Sequence, residues 1–324
     1  MPILIIPSTF HAPFYLRNRH VQTILPTILR TGNNISYESQ RLELPDGDFV
    51  DVFWCRPQTS LTDNQPIVIV LHGMGGHFTS NYVPDTIRAL LKRGYRVAFL
   101  HSRGCSGEPN RLPVTFHAAD TSELNHLVHT IKTLFPAAPV AALGFSLGGS
   151  VLLKWLGEPP GKNLLCAAVA VGVPFDLSTT ADTINRGFAQ IYQLYLLHSL
   201  KSLAIAKLAV HPAPLTAPQI KALKSLRQYD HEMTAKINGF AGVDEYYARG
   251  SCKQYLINIK TPTLIVNAID DPFVPPACIP GEHELSANVT LELSQHGGHV
   301  GFLGPARSRY FAERGAQFFD DYLD

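Results

Sequence analysis

The sequence predicts an α/β protein whose central sheet is mostly parallel, carries helices on both faces and is interrupted by an inserted helical cap. Three patterns lead to this fold class. Between residues 67 and 176, apolar runs of strand length alternate with amphipathic helical segments, as in parallel sheets covered by helices. The strand pattern then stops over residues 177–256 and returns at 261–270 and 288–297, before a last amphipathic helix.

The elements follow in chain order. Residues 41–54 alternate apolar and polar side chains around Pro-Asp-Gly and predict a β-hairpin. Continuous apolar runs rich in β-branched residues predict strands that are buried on both faces, and these runs lie at 67–73, 96–104, 139–146 and 164–175. Amphipathic helices are predicted between the strands, at 82–95, 117–135 and 147–157.

The change of pattern divides the chain into three parts. Residues 1–40 are predicted to be an N-terminal extension, 41–176 and 257–324 the core, and 177–256 the helical cap. The cap carries a dense group of large apolar residues, which can line an acyl pocket or pack as core within the cap. They are Phe188, Ile191, Tyr192, Leu194, Tyr195, Leu196 and Leu197.

Composition and charge argue against several functions. The formal net charge is +1 and no Lys/Arg cluster is present, so a nucleic-acid partner has no electrostatic support. The five cysteines are scattered and never form C-x-x-C, which argues against disulfides and zinc and favours a reducing compartment. The 14 histidines lack H-E-x-x-H spacing, and no phosphate or dinucleotide loop is found, so no metal and no cofactor are expected.

No segment approaches the roughly 20 apolar residues of a membrane helix. The apolar N-terminus is short, is broken by Pro2 and Pro7 and lacks a basic region, so it is a poor signal peptide. We therefore expect a cytoplasmic protein without an integral membrane segment that acts on a small molecule. The sequence does not indicate its oligomeric state.

The stretch G-F-S-L-G, residues 144–148, matches G-x-S-x-G between a predicted strand and a predicted helix. In that setting the serine occupies a sharp turn at the carboxyl edge of the sheet, and the glycines let strand and helix approach closely. Ser146 is therefore the candidate nucleophile, and the backbone N–H of Leu147 is a candidate oxyanion donor.

A serine nucleophile needs a base, and in this kind of fold the acid and then the histidine follow it in the chain. Asp270 and Asp271 both come just after the predicted strand at 261–270, and His296 and His299 both lie in the glycine-rich loop before the last helix. The chain order alone leaves both pairs open.

These motifs together identify a family. The stretches HGMGG (72–76), RGCSGEPN (103–110), GFSLGG (144–149), DDPFVP (270–275) and HGGHVGF (296–302) resemble the α/β-hydrolase superfamily, and within it the YheT-like group, AB hydrolase family 4. RNRHVQTILP (17–26) and LPDGDFVDVFW (44–54) extend the likeness over most of the chain.

The resemblance implies roles for particular residues. The D-x-x-V-P spacing favours Asp271, and the loop G-H-x-x-F favours His299, so the implied charge-relay residues are Ser146, Asp271 and His299. The loop after the first parallel strand implies the N–H of Met74 as the second oxyanion donor. His72 in the same loop is interpreted as a structural ring that bonds to backbone.

The expected reaction is ester hydrolysis by a serine carboxylesterase that forms an acyl-enzyme on short- to medium-chain acyl esters. An acyltransferase with the same triad is the first alternative. A non-catalytic ligand-binding relative is the second.

Overall fold

The computed structural model describes residues 4–29, 32, 34–58, 62, 64–159 and 164–323. The strands of this part of the chain are β1 (Ile5–Pro7), β2 (Glu38–Glu43), β3 (Phe49–Cys55), β4 (Ile67–Leu71), β5 (Arg96–Leu100), β6 (Val140–Phe145), β7 (Ala167–Val171), β8 (Thr263–Ala268) and β9 (Val289–Ser294). They form one nine-stranded sheet in the order β1-β9-β8-β7-β6-β4-β5-β3-β2. The pairs β2·β3 and β3·β5 are antiparallel and the other pairs are parallel.

Helices cover both faces of the sheet, because alternate residues of the central strands point to opposite sides. The α-helices are α1 (Arg19–Ile28), α2 (Val83–Lys92), α3 (Ser122–Leu134), α4 (Leu147–Gly157), α5 (Leu177–Ile184), α6 (Gln190–Lys207), α7 (Ala217–Ala222), α8 (Leu226–Tyr229), α9 (Val243–Gly250) and α10 (Tyr310–Leu323). Val68 and Val70 pack with α2 and α10, whereas Ile67 and Ile69 pack with α3 and α4. The predicted fold class is thereby confirmed.

Residues 177–256 contain α5–α9 and a π-helical turn, Asp230–Ala235, and no strand lies in this range, all of which the structure describes. The segment is inserted between β7 and β8. It supplies the helical layer over the carboxyl edge of the sheet, where open α/β folds bind ligands. Its boundaries as a separate cap remain a proposal.

The N-terminal segment joins the sheet. Strand β1 pairs with β9, and β2 already begins at Glu38, so the sheet includes residues that the sequence assigns to an extension. The predicted hairpin is present, with Leu44 donating its N–H to the carbonyl of Asp48 across the turn. No helix in the described ranges is both long and apolar enough to cross a membrane.

Candidate active site

Ser146 lies on a sharp turn between β6 and α4. Its backbone has φ 49° and ψ −117°, a strained combination for a residue with a side chain. A Cβ atom on Gly144 would lie 2.5 Å from the carbonyl oxygen of Gly148, and one on Gly148 would lie 2.4 Å from that of His72. Both flanking positions therefore require glycine, which holds the serine at the carboxyl edge of the sheet.

Three side chains form a continuous hydrogen-bonded chain at this edge. Ser146 Oγ is 2.8 Å from Nε2 of His299, and Nδ1 of the same ring is 2.9 Å from Oδ2 of Asp271. With Nδ1–H donating to the buried carboxylate, Nε2 is free to accept the serine proton. The structure thus brings together Ser146, His299 and Asp271.

Asp271 and His299 are themselves held in place. The second carboxylate oxygen of Asp271 accepts the backbone N–H of Phe273 at 2.8 Å. The ring of Phe273 stacks on the imidazole of His299 at 3.8 Å between centroids and 2° between planes. These contacts restrict the orientation of the imidazole, which is what a base acting on a neighbouring hydroxyl requires.

Asp270 and His296, the competing residues, contact each other and the loop backbone instead. Asp270 Oδ1 accepts the N–H of Gly298 at 3.0 Å, and its Oδ2 lies 3.4 Å from His296 Nδ1 without hydrogen-bond geometry. Burial raises the pKa of Asp270 above its usual value. Its carboxylate braces the glycine-rich loop next to His299.

Two backbone N–H groups are free beside the serine. Met74 and Leu147 both line the cavity that contains Ser146, and within the described ranges neither N–H donates a hydrogen bond. The Met74 loop lies close to the nucleophile, because a Cβ on Gly73 would be 3.3 Å from Ser146 Cβ. Unpaired N–H groups at this position can stabilise a developing oxyanion.

His72 fixes the loop that carries Met74. Its Nε2 accepts the N–H of Ser102 at 3.1 Å, so Nδ1 carries the proton and donates to the carbonyl of Gly73 at 2.7 Å. Burial lowers the pKa of His72 to about 4, which keeps the ring neutral. The interpretation of His72 as a structural ring is confirmed.

The N-terminal helix α1 supports the histidine loop, a contribution that sequence reasoning missed. Gln22 is fully buried, and its amide bonds to both the carbonyl and the N–H of Leu303, at 3.1 and 2.8 Å. Thr23 Oγ1 accepts the N–H of His299 at 3.0 Å. The stretch RNRHVQTILP, residues 17–26, contains both residues. It contributed to the family resemblance, but nothing in its pattern indicated a contact with the histidine loop.

A cavity of about 340 Å³ opens above Ser146, within the size range of small-molecule sites. Its walls come from α1, the 73–82 loop, the ends of β6 and β7, and the cap. The large apolar residues of the cap at 188–197 differ in their surroundings, and some of them line the cavity while others do not. Tyr192 and Leu197 are buried, Phe188 and Leu194 are at least half exposed, and the cavity is lined by Ile191, Tyr192, Tyr195 and Leu196.

Comparisons with known proteins agree with this architecture. A model of the α/β hydrolase fold family matches residues 66–306. The chain is 39% identical over 289 residues to an Escherichia coli (strain K12) protein named "Putative esterase YheT", covering 89% of this chain and 85% of that protein. It is 28% identical over 305 residues to "Phospholipase ABHD3" of Mus musculus, covering 92% of this chain and 74% of that protein.

Among solved structures, the esterase Pf2001 of Pyrococcus furiosus superposes with a TM-score of 0.59 at 18% identity, covering 91% of this chain and 99% of that one. At this identity the likeness concerns the fold alone. The family match and the 39% identity are stronger findings. On these grounds the chain belongs to the α/β hydrolase fold family and, within it, to the YheT-like group.

Proposed function

We propose that this protein is a serine carboxylesterase that cleaves acyl esters through an acyl-enzyme. The observation that carries the proposal is the chain from Ser146 through His299 to Asp271, with successive distances of 2.8 and 2.9 Å, next to two unpaired N–H groups. A positioned base and a pair of oxyanion donors are the parts that acyl transfer needs.

In the proposed first half-reaction, Ser146 Oγ attacks the ester carbonyl carbon and gives its proton to Nε2 of His299. The carbonyl oxygen becomes an oxyanion that accepts the N–H groups of Met74 and Leu147, while Asp271 stabilises the imidazolium. Collapse of the intermediate breaks the bond to the alcohol oxygen, which leaves with the proton from Nε2.

In the second half-reaction a water molecule gives a proton to Nε2 and its oxygen attacks the acyl carbon. Collapse returns the proton to Ser146 Oγ and releases the acid. The names of the relatives, an esterase and a phospholipase, support an ester as the bond that is cleaved. The apolar part of the cavity wall, including Leu177, Ala181 and Ile184, favours the binding of short to medium acyl chains.

Hydrolysis of p-nitrophenyl hexanoate by wild type and Ser146→Ala tests the proposal. We expect a loss of about 10⁶-fold in kcat, together with the loss of labelling by a fluorophosphonate. Ser202→Ala, which removes an exposed hydroxyl on α6, is the matched control. Equal rates in wild type and Ser146→Ala would refute a serine mechanism, and no turnover in wild type would favour the non-catalytic alternative.

Product analysis in ethanol–water mixtures separates hydrolysis from acyl transfer, since the same acyl-enzyme can react with an alcohol. A carboxylesterase forms mainly acid at low ethanol concentration. Ethyl ester formed in preference to acid would replace the hydrolase by an acyltransferase.

A further inference from the structure

A buried carboxylate lines the cavity on its cap side. Asp230 begins the π-helical turn that follows α8 and is only 5% exposed, yet it lines the same cavity as Ser146 and His299. The proposed reaction gives it no part. An isolated turn of π-helix is rare and is often found at functional sites.

The hydrogen bonds of Asp230 leave acceptor capacity unused. Oδ1 accepts the hydroxyl of Thr234 at 2.7 Å, and Oδ2 accepts the hydroxyl of Tyr247 at 2.8 Å. A carboxylate has about four lone-pair sites, so about two remain for another donor.

Asp230 also lacks a counter-ion. In the described ranges no cationic side chain forms an ion pair with it, and Arg227 pairs instead with Asp182 and Asp244. Burial raises the pKa of Asp230 to about 6, so the group is largely ionised above that pH. A buried anion without a cation is costly, and such groups are frequently found where a ligand is bound.

A second buried polar group lines the same cavity. Thr180 of α5 is 8% exposed, and its hydroxyl is buried without a hydrogen-bond partner in the part of the chain that the structure describes. The same cavity is also lined by the apolar residues Leu177, Ala181 and Leu226. A few polar groups in an otherwise apolar pocket are what fixes the orientation of a small ligand.

We propose that Asp230 and Thr180, together called the Asp230 subsite, bind a hydrogen-bond-donating group of the substrate, either a hydroxyl or an ammonium, that lies away from the ester. This inference rests on the proposed esterase function and adds to it the class of substrate. The preferred ester is then one with a polar group on its acyl chain or its alcohol, and not a plain alkyl ester.

Ester pairs with equal numbers of heavy atoms test the subsite. On the acyl side, the p-nitrophenyl esters of 6-hydroxyhexanoate and 6-aminohexanoate are compared with that of heptanoate. On the alcohol side, 4-hydroxybutyl hexanoate and 4-aminobutyl hexanoate are compared with pentyl hexanoate. The quantity measured is the ratio of kcat/KM for the donor-bearing ester to that for its methyl-ended partner.

We expect Asp230→Asn to lower this ratio by about 10- to 100-fold on one of the two sides, because a buried hydrogen bond to a charged group is lost. The hydroxyl and amino esters show which donor is preferred. Asp244→Asn removes the same charge from an exposed position on the cap, where the side chain is 92% exposed, and should leave the ratio unchanged.

A ratio that changes by less than threefold in every pair overturns the proposal and leaves Asp230 a structural role, whereas a larger fall supports it. If circular dichroism shows that Asp230→Asn does not fold, Thr180→Val is judged by the same criterion, since it removes only the hydroxyl. Absence of turnover with every ester in wild type refutes the esterase function itself, and the subsite proposal falls with it.

Discussion

The two sides of the cavity are built differently. On the sheet side, the groups next to Ser146 are set by close backbone contacts and by buried rings such as His72. On the cap side, α6 presents Ile191 and Tyr195 to the cavity, and these side chains are 50% and 69% exposed. The sheet side leaves little room for substitution, whereas these exposed positions of α6 can change without disturbing a packed interior.

This difference suggests a division of work. Residues on the sheet side should affect the rate with every ester, and residues on the cap side should affect the choice between esters. Four substitutions probe the two sides of the cavity and their surroundings, beginning with the largest expected effect.

Asp271→Asn should lower kcat by about 10⁴-fold. The carboxamide can donate to Nδ1 of His299, and the proton of the imidazole then lies on Nε2. A protonated Nε2 cannot accept the proton of Ser146. Steady-state hydrolysis of p-nitrophenyl hexanoate measures kcat. Asp270→Asn, one residue away, is the control, and we expect a loss of less than tenfold. Equal losses in the two variants would contradict the assignment of the acid to Asp271.

Gln22→Leu should lower the free energy of unfolding by about 2–4 kcal/mol, because the N–H and the carbonyl of Leu303 both lose their buried partner. The loop that carries His299 should loosen with it, so the rate of fluorophosphonate labelling should also fall. Urea titration measures the first effect. Gln190→Leu, at an exposed position of α6, is the control. If Gln22→Leu is as stable as wild type, α1 does not brace the loop.

His101→Asn should make stability less dependent on pH. Burial, with a further contribution from the repulsion that would arise if His72 were protonated as well, lowers the pKa of His101 to about 4 in the folded protein, against about 6.5 in the unfolded chain. The unfolded chain therefore binds the proton more readily between these values, so stability is fully present above pH 6.5 and is lost as the pH falls toward 4.

From pH 8 to pH 5 this single ring should account for about 2 kcal/mol of lost stability. Urea titrations at both pH values measure the loss, which should be smaller by that amount in His101→Asn. His198→Asn, on the exposed side of α6, is the control. An identical loss in wild type and His101→Asn would mean that the ring is protonated in the folded state.

Tyr195→Ala, on the cap side, should change the free energy of unfolding by less than about 0.5 kcal/mol, as is usual for exposed positions. Because Tyr195 lines the mouth of the cavity, the variant should lower the preference for decanoate over butyrate esters about threefold. A comparable loss with both esters would contradict the division between the two sides.

The fold class was predictable because the signal is local. Uninterrupted apolar runs such as residues 67–73 predict buried strands when several of them alternate with amphipathic helices. The family was predictable because several short motifs agree. The sequence also named Ser146, Asp271 and His299, which the structure brings into hydrogen-bond contact, while their catalytic roles remain predictions.

Other parts of the site could not be predicted, because they depend on residues far apart in the chain. Strand β1 has three residues and ends at Pro7, too short for a period, and its partners lie in β9. Asp230 lies in a segment with an ordinary helical pattern, and its position relative to the apolar residues around it does not indicate that it lines a cavity. The chain order alone did not distinguish Asp270 from Asp271, and only the family resemblance favoured Asp271.

The pairing of β1 with β9 joins segments that lie far apart in the chain: the carbonyl of Leu4 accepts the N–H of Leu291, and Gln22 of α1 holds Leu303. A ribosome that adds about 5–20 residues per second makes these partners roughly 15–60 s apart. Strand β1 must therefore wait, unpaired, until the ribosome has made β9, and the histidine loop gains its support from α1 only after that point.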